Sequence, residues 1–259
     1  MIDLARLSRA ELAAIEEAGR ELEEWQRIIA KSGDSILGLV LGATSDAIAD
    51  WSHYPPGDVY DPATHAQYFY HRHAPGPPSD EEHGHFHTYM RPRGMPPGTR
   101  PLVMPELAIA GAPAQPLDPV SPPARQPNQG DGNDKFSHLI AVGMDAAGAP
   151  IRLFTTNRWV TGETWYAAED VIRMLDGFSI ELARPYWPLN RWLCALMRFY
   201  RPDIVLLLRA RDAAVMSWRR RHRGKVHVFE DQRLEIASAV AIDPTDRRRR
   251  LADMLGRAA

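Results

Sequence analysis

Ser137-His138-Leu139-Ile140-Ala141-Val142-Gly143-Met144-Asp145 and Ile151-Arg152-Leu153-Phe154-Thr155-Thr156-Asn157-Arg158 carry the clearest β signal in this chain, with Ala146 to Pro150 between them. Both runs are apolar and strand-length, and the intervening residues favour a turn, so the pair reads as an antiparallel hairpin. Upstream, Gln67-Tyr68-Phe69-Tyr70-His71-Arg72-His73 is aromatic-rich and suits a strand. After the Pro/Gly stretch Ala74 to Asp80, His83-Gly84-His85-Phe86-His87-Thr88-Tyr89 suits another, which makes a second hairpin. A last strand follows from the alternation of Leu234, Ile236, Ser238, Val240 and Ile242 with smaller or polar residues. Pro55-Pro56-Gly57-Asp58 and Asp61-Pro62 read as turns.

Helical spacing frames these strands. Ser8-Arg9-Ala10-Glu11 has the form of a capping box, and Leu12, Ile15, Leu22, Trp25 and Ile29 recur at helical intervals, so a helix is expected over 9–31. A weaker apolar segment runs from Ser35 to Trp51. Further helices are expected over 168–175, 189–200 and 203–223, and after Asp243-Pro244 to about 257. Eleven of the 22 prolines fall between Pro92 and Pro127, so 92–134 reads as a loop or partly disordered insert. The expectation is a single α+β domain over 1–259: a mostly antiparallel sheet of four to five strands, an N-terminal helix, and C-terminal helices covering one face.

The totals exclude several classes. With 44 % hydrophobic and 25 % charged residues the composition is that of a globular protein. A net charge of -2 gives no overall field for nucleic acid or anionic lipid, and the basic runs at 219–223 and 247–250 read as solvated helix ends. Neither nucleic acid nor membrane is an expected partner. Ile36 to Ala43, the longest apolar run, is far too short to cross a bilayer. The start Met1-Ile2-Asp3-Leu4 has no secretion-signal pattern, so a cytoplasmic location is expected. The single cysteine, Cys194, excludes an intrachain disulfide and reads as a buried apolar residue.

Chemistry concentrates elsewhere. Seven of the ten histidines lie between His53 and His87. On a strand His83, His85 and His87 project from one face, and His71 and His73 share a face with Phe69. Imidazoles at i and i+2 converge on one ion without backbone strain, so a divalent-metal site is expected from His85 and His87, or His83 and His85, with His138 as the third ligand from the next strand; the set is His85, His87 and His138 with His83 nearby. Glu82, His71 and His73 are further candidates. Three nitrogens with an open position suit zinc; two histidines and a carboxylate suit iron. Glu163 is a candidate proton carrier, and Arg158 a candidate holder of a carboxylate or phosphate on a small-molecule ligand. Asp58 or Asp61 could orient a histidine, although backbone bonds within a turn are the commoner use of such aspartates. Alternatively, the histidines are structural or pH-responsive in a non-enzymatic binding or scaffold protein.

His83-Gly84-His85-Phe86-His87 resembles the His-x-His-x-His motif of the histidine-triad nucleotide hydrolases and transferases, which implies His85 as a nucleophile toward phosphorus. Gly84 and Thr88 stand where that family has apolar residues. His85-Phe86-His87 is also similar to the His-x-His of cupins, but no glutamate follows at Met90, Arg91 or Pro92. As a set, His53-Tyr54-Pro55, Glu82 to His87 and Thr155-Thr156-Asn157-Arg158-Trp159 resemble a bacterial family labelled as a domain of unknown function, which implies no activity. The Ala/Arg/Pro-rich composition suits a bacterium of high genomic GC content.

Overall fold

A computed structural model describes residues 2–42, 52–72, 81–102, 135–222 and 227–257. Six strands form one antiparallel sheet in chain order: β1 (Tyr54–Tyr60), β2 (Ala66–His71), β3 (Gly84–Met90), β4 (Ser137–Met144), β5 (Pro150–Thr156) and β6 (Ile236–Ala241). The helices are α1 (Arg9–Lys31), α2 (Ile36–Leu41), α3 (Arg158–Thr161), α4 (Ala168–Met174), α5 (Trp187–Phe199), α6 (Arg201–Arg221) and α7 (Pro244–Arg257). The fold is α+β with N- and C-terminal helices, as the periodicities require. His73 and the part of the proline-rich stretch over 103–134 lie outside the described residues.

The strand count corrects the expectation of four to five. The additional strand is β1, whose Pro55-Pro56-Gly57-Asp58 reads as a turn. It sits at the sheet edge, where a missing N–H on the outer side breaks no ladder bond. Its pairing with β2 is irregular between Tyr54 and Val59, and Asp58 adopts a positive φ of 58° there. Such a local break in register re-aims side chains.

Every residue of β2, β3 and β4 is buried, so both sheet faces are covered. One face belongs to the main core. Tyr68, Tyr70, Phe86, Ile140 and Val142 join it with Trp192 and Leu196 of α5 and Leu22 of α1. The Tyr68 hydroxyl donates to Asn190 Oδ1 on α5 at 2.6 Å, satisfying a fully buried phenol. Ser8 caps α1 in the expected capping box. The opposite face of the same central strands carries the histidines. Strand alternation thus splits one aromatic-rich hairpin into an apolar side and an imidazole side.

Candidate metal centre

In the β2–β3 register Phe69 pairs with His87 and His71 with His85, so these four rings share one face. Gly84 allows this closeness. A Cβ there would come within 2.5 Å of the His71 carbonyl oxygen and of the Tyr70 hydroxyl. Opposite His85 and His87 on β4 stand Gly143 and Ala141, whose small side chains leave space for the imidazoles.

One nitrogen from each of His71, His85 and His87 falls within 4.8 Å of the others, a group able to hold a metal ion. The ring centroids form a near-equilateral set: 4.5 Å from His71 to His85, 4.7 Å from His85 to His87, and 5.0 Å from His71 to His87. His71 Nε2 and His85 Nε2 lie 2.7 Å apart as a hydrogen-bonded pair. Two nitrogens on one tetrahedral zinc stand about 3.3 Å apart, so a modest opening of this pair admits an ion.

Behind the rings stand partners that fix their orientation. His85 Nδ1 lies 2.8 Å from Glu82 Oε1, and Arg152 holds the other Glu82 oxygen at 2.6 Å. Because the guanidinium only donates and the carboxylate accepts, His85 carries its proton on Nδ1 and turns a lone pair on Nε2 toward His71. His87 Nδ1 lies 3.0 Å from His138 Nε2. Burial and the neighbouring His85, His138 and His71 hold His87 well below the usual histidine range. Burial, with the Arg211 charge and His85, pushes His138 down to about 3. Both rings are therefore neutral at pH 7, the state that a metal ligand requires.

The positions expected from the sequence divide. The structure brings His85 and His87 together and adds His71. His138 stands behind His87 rather than beside His85. His83 is placed apart: it precedes β3, and its Nδ1 meets the Tyr70 hydroxyl at 2.8 Å, on the core side of β2. Alternation extends a face only while the chain remains in the sheet, and β3 starts at Gly84. Glu163 is fully buried, and one of its oxygens accepts from the His138 backbone N–H at 2.7 Å. Burial pushes its carboxyl up to about 7, against the opposing pull of Arg211, of that backbone bond and of Arg158. Arg158 is itself buried, 3 % exposed, and pairs with Glu230. The hairpin end that holds it is packed: Asn157 Nδ2 donates to the Val228 carbonyl at 2.8 Å and Trp159 Nε1 to that of Leu234 at 2.9 Å. The hairpin end around Arg158 is thus a folded corner in this structure.

Residue spacing alone gives His53 no place in the site. Its ring stacks on Phe69 at 3.6 Å and 8°, and its Nδ1 lies 2.9 Å from Asp58 Oδ1. Asp58, not Asp61, is the aspartate that orients a histidine. Asp61 accepts from the backbone N–H of Ala63 and of Glu181.

A Gly143 Cβ would come within 2.4 Å of Glu82 Oε2. The clash meets the carboxylate end of a side chain that can shift, so Gly143→Ala is expected to fold normally while displacing Glu82 from His85. Metal affinity is then expected to fall about 10- to 100-fold, the usual effect of losing an outer carboxylate. A competitive chelator titration alongside Glu82→Gln checks this, and unchanged affinity in both variants contradicts the role given to Glu82.

The fold and site define an α+β protein with a buried three-imidazole cluster on a central antiparallel sheet. A family model described as a domain of unknown function (DUF6969) matches residues 16–242, and the chain belongs to that family. The matched region contains all six strands and every histidine of the cluster. No curated protein and no solved structure matches the chain. Among the described residues no helix is long and apolar enough to cross a membrane.

Proposed function

We propose that this protein is a single-domain metalloprotein whose divalent ion, zinc by ligand preference, is held by His71, His85 and His87. The observation that carries the proposal is the convergence of three buried imidazoles, one of them backed by a carboxylate. Among the described residues the inner set is three imidazole nitrogens without a carboxylate, which favours zinc over iron, and three protein ligands leave the fourth tetrahedral position to an exogenous ligand, which favours a catalytic over a purely structural ion. Such an ion supplies Lewis acidity and an activated water, which suits hydrolysis of a small molecule. Glu82 and His138 fix the His85 and His87 rings. Glu163 anchors the start of β4 at His138, and Arg158 helps to offset its charge. Of the four positions first expected as ligands, His85 and His87 remain inner ligands, His138 becomes an outer partner and His83 is released.

Elemental analysis of tag-free protein purified without added metal or chelator tests this. The expected result is about one zinc per chain in the wild type and in His83→Ala, and almost none in His71→Ala or His85→Ala. If the protein neither contains nor takes up a metal, the histidines form a hydrogen-bonded structural core and the non-enzymatic reading replaces this one.

A further inference from the structure

Resting on the metal reading above, we propose that His53 contacts the small molecule in the ion's open position through Nε2. This contact selects ligands whose metal-bound atom still carries a proton: water, alcohols, and amide-type nitrogens such as that of a sulfonamide.

The argument begins with a chain of hydrogen bonds whose directions are fixed. Arg91 Nε, which can only donate, lies 2.6 Å from Gln67 Oε1. The Gln67 amide nitrogen must then face the other way, and it donates to Asp58 Oδ2 at 2.6 Å. The Asp58 carboxylate accepts there and also accepts from His53 Nδ1 at 2.9 Å. In its neutral form His53 is therefore held with the proton on Nδ1 and a lone pair on Nε2, an atom with no hydrogen bond among the described residues. An acceptor so arranged favours a donor on the bound molecule.

Distance makes His53 an outer contact. Its centroid lies 6.1 Å from that of His71, against 4.5 to 5.0 Å within the triad. That is too far to share a tetrahedral ion with the triad, and about right for one intervening small ligand. Its ring plane is held by the stack on Phe69, whose ring also packs against His71 at 5.5 Å and His87 at 5.3 Å. Because Phe69 stands opposite His87 on the histidine face, the stack places His53 on the same side of the sheet. Its side chain is 18 % exposed, whereas His85 and His87 are 6 % and 1 % exposed as residues, so His53 is the ring that faces an approaching molecule. Asp58 is a positioning residue, held at positive φ in the irregular stretch of β1.

The test uses the full chain loaded with cobalt(II), whose visible absorption reports ligands entering the open position. Two probes are compared at pH 8. Methanesulfonamide binds as its anion, giving one proton to buffer and keeping one N–H on the metal-bound nitrogen. Azide has no proton to offer. In His53→Ala the sulfonamide is expected to bind about tenfold more weakly, the scale of one hydrogen bond, with azide changed less than about twofold. Asp58→Asn keeps the ring but reverses the hydrogen order. Gln67 still requires an acceptor, so the new amide nitrogen faces His53 Nδ1 and the proton moves to Nε2. Here the sulfonamide is expected to weaken and azide to tighten. If cobalt binds yet both probes are unaffected in both variants, or both weaken equally, the His53 contact is overturned and the metal site stands. Failure of the wild type to take up cobalt overturns the metal reading and this inference together.

Discussion

Metal-free protein is expected to lose about 2 kcal/mol of stability as the pH falls from 6.5 to 5. The sign follows from three buried groups. His87 and His138 stay neutral in the folded state, but in the unfolded chain they take up protons below about 6.5. The unfolded state then binds more protons, and each ring removes about 1.4 kcal/mol per pH unit as the pH falls. Glu163 acts in the opposite sense. Its folded carboxyl is raised to about 7 from 4.5, so between those values the folded state holds the extra proton and gains stability on acidification. Two groups against one leave a net loss of about 1.4 kcal/mol per unit. Below pH 4.5 the Glu163 contribution is complete and the slope steepens to about 2.7 kcal/mol per unit until His138 itself titrates near 3. Urea unfolding in the presence of chelator, repeated across this range, checks the curve. Glu163→Gln should show the steeper slope already between pH 6.5 and 4.5. A wild-type stability that is flat over that interval contradicts the neutral, buried state assigned to the two rings.

A comparably large effect is expected at the start of α6. Arg247 of α7 pairs with Asp203 at the start of α6, with side chains 0 % and 1 % exposed. Asp203 also accepts from the Ile2 backbone N–H at 2.7 Å, and the guanidinium lies over the Tyr200 ring at 4.7 Å. This pair ties the N-terminus, α6 and α7 together. Arg247→Met leaves a buried carboxylate without its counter-charge and should cost about 3–5 kcal/mol. Asp203→Leu combined with Arg247→Met removes both charges and should restore most of that loss, because desolvating a buried pair consumes much of its attraction. Denaturation midpoints of the single and double variants decide this. A single variant within about 1 kcal/mol of wild type shows that the pair is dispensable.

Much of this architecture is legible in the chain because local signals agree. Ser8 and Glu11 mark the start of α1, Asp243-Pro244 the start of α7, and the 137–158 hairpin is plain in its apolar runs. β1 is hidden because Pro55, Pro56 and Gly57 are turn formers, and only their place at an edge makes a strand of them. The site is half legible for related reasons. His85 and His87 follow from alternation alone. His71 becomes their partner through the β2–β3 register, which no local pattern specifies. His138 reaches the histidine face because the β3–β4 ladder slips between Thr88 and Tyr89, pairing Tyr89 with His138 and leaving Leu139 to the core. A one-residue slip decides which side chain faces the site, and sequence spacing does not record it. His53 is found only through Asp58, whose positive φ is a tertiary outcome.

The most direct test of the central claim is X-ray absorption at the zinc edge on the zinc-loaded full chain, with His71→Ala alongside. The expected spectrum shows three imidazole nitrogens at about 2.0–2.1 Å plus one exogenous oxygen ligand, and loss of that signature in the variant. A zinc shell without imidazole scattering, or a wild-type spectrum preserved in His71→Ala, would place the ion elsewhere and contradict the triad.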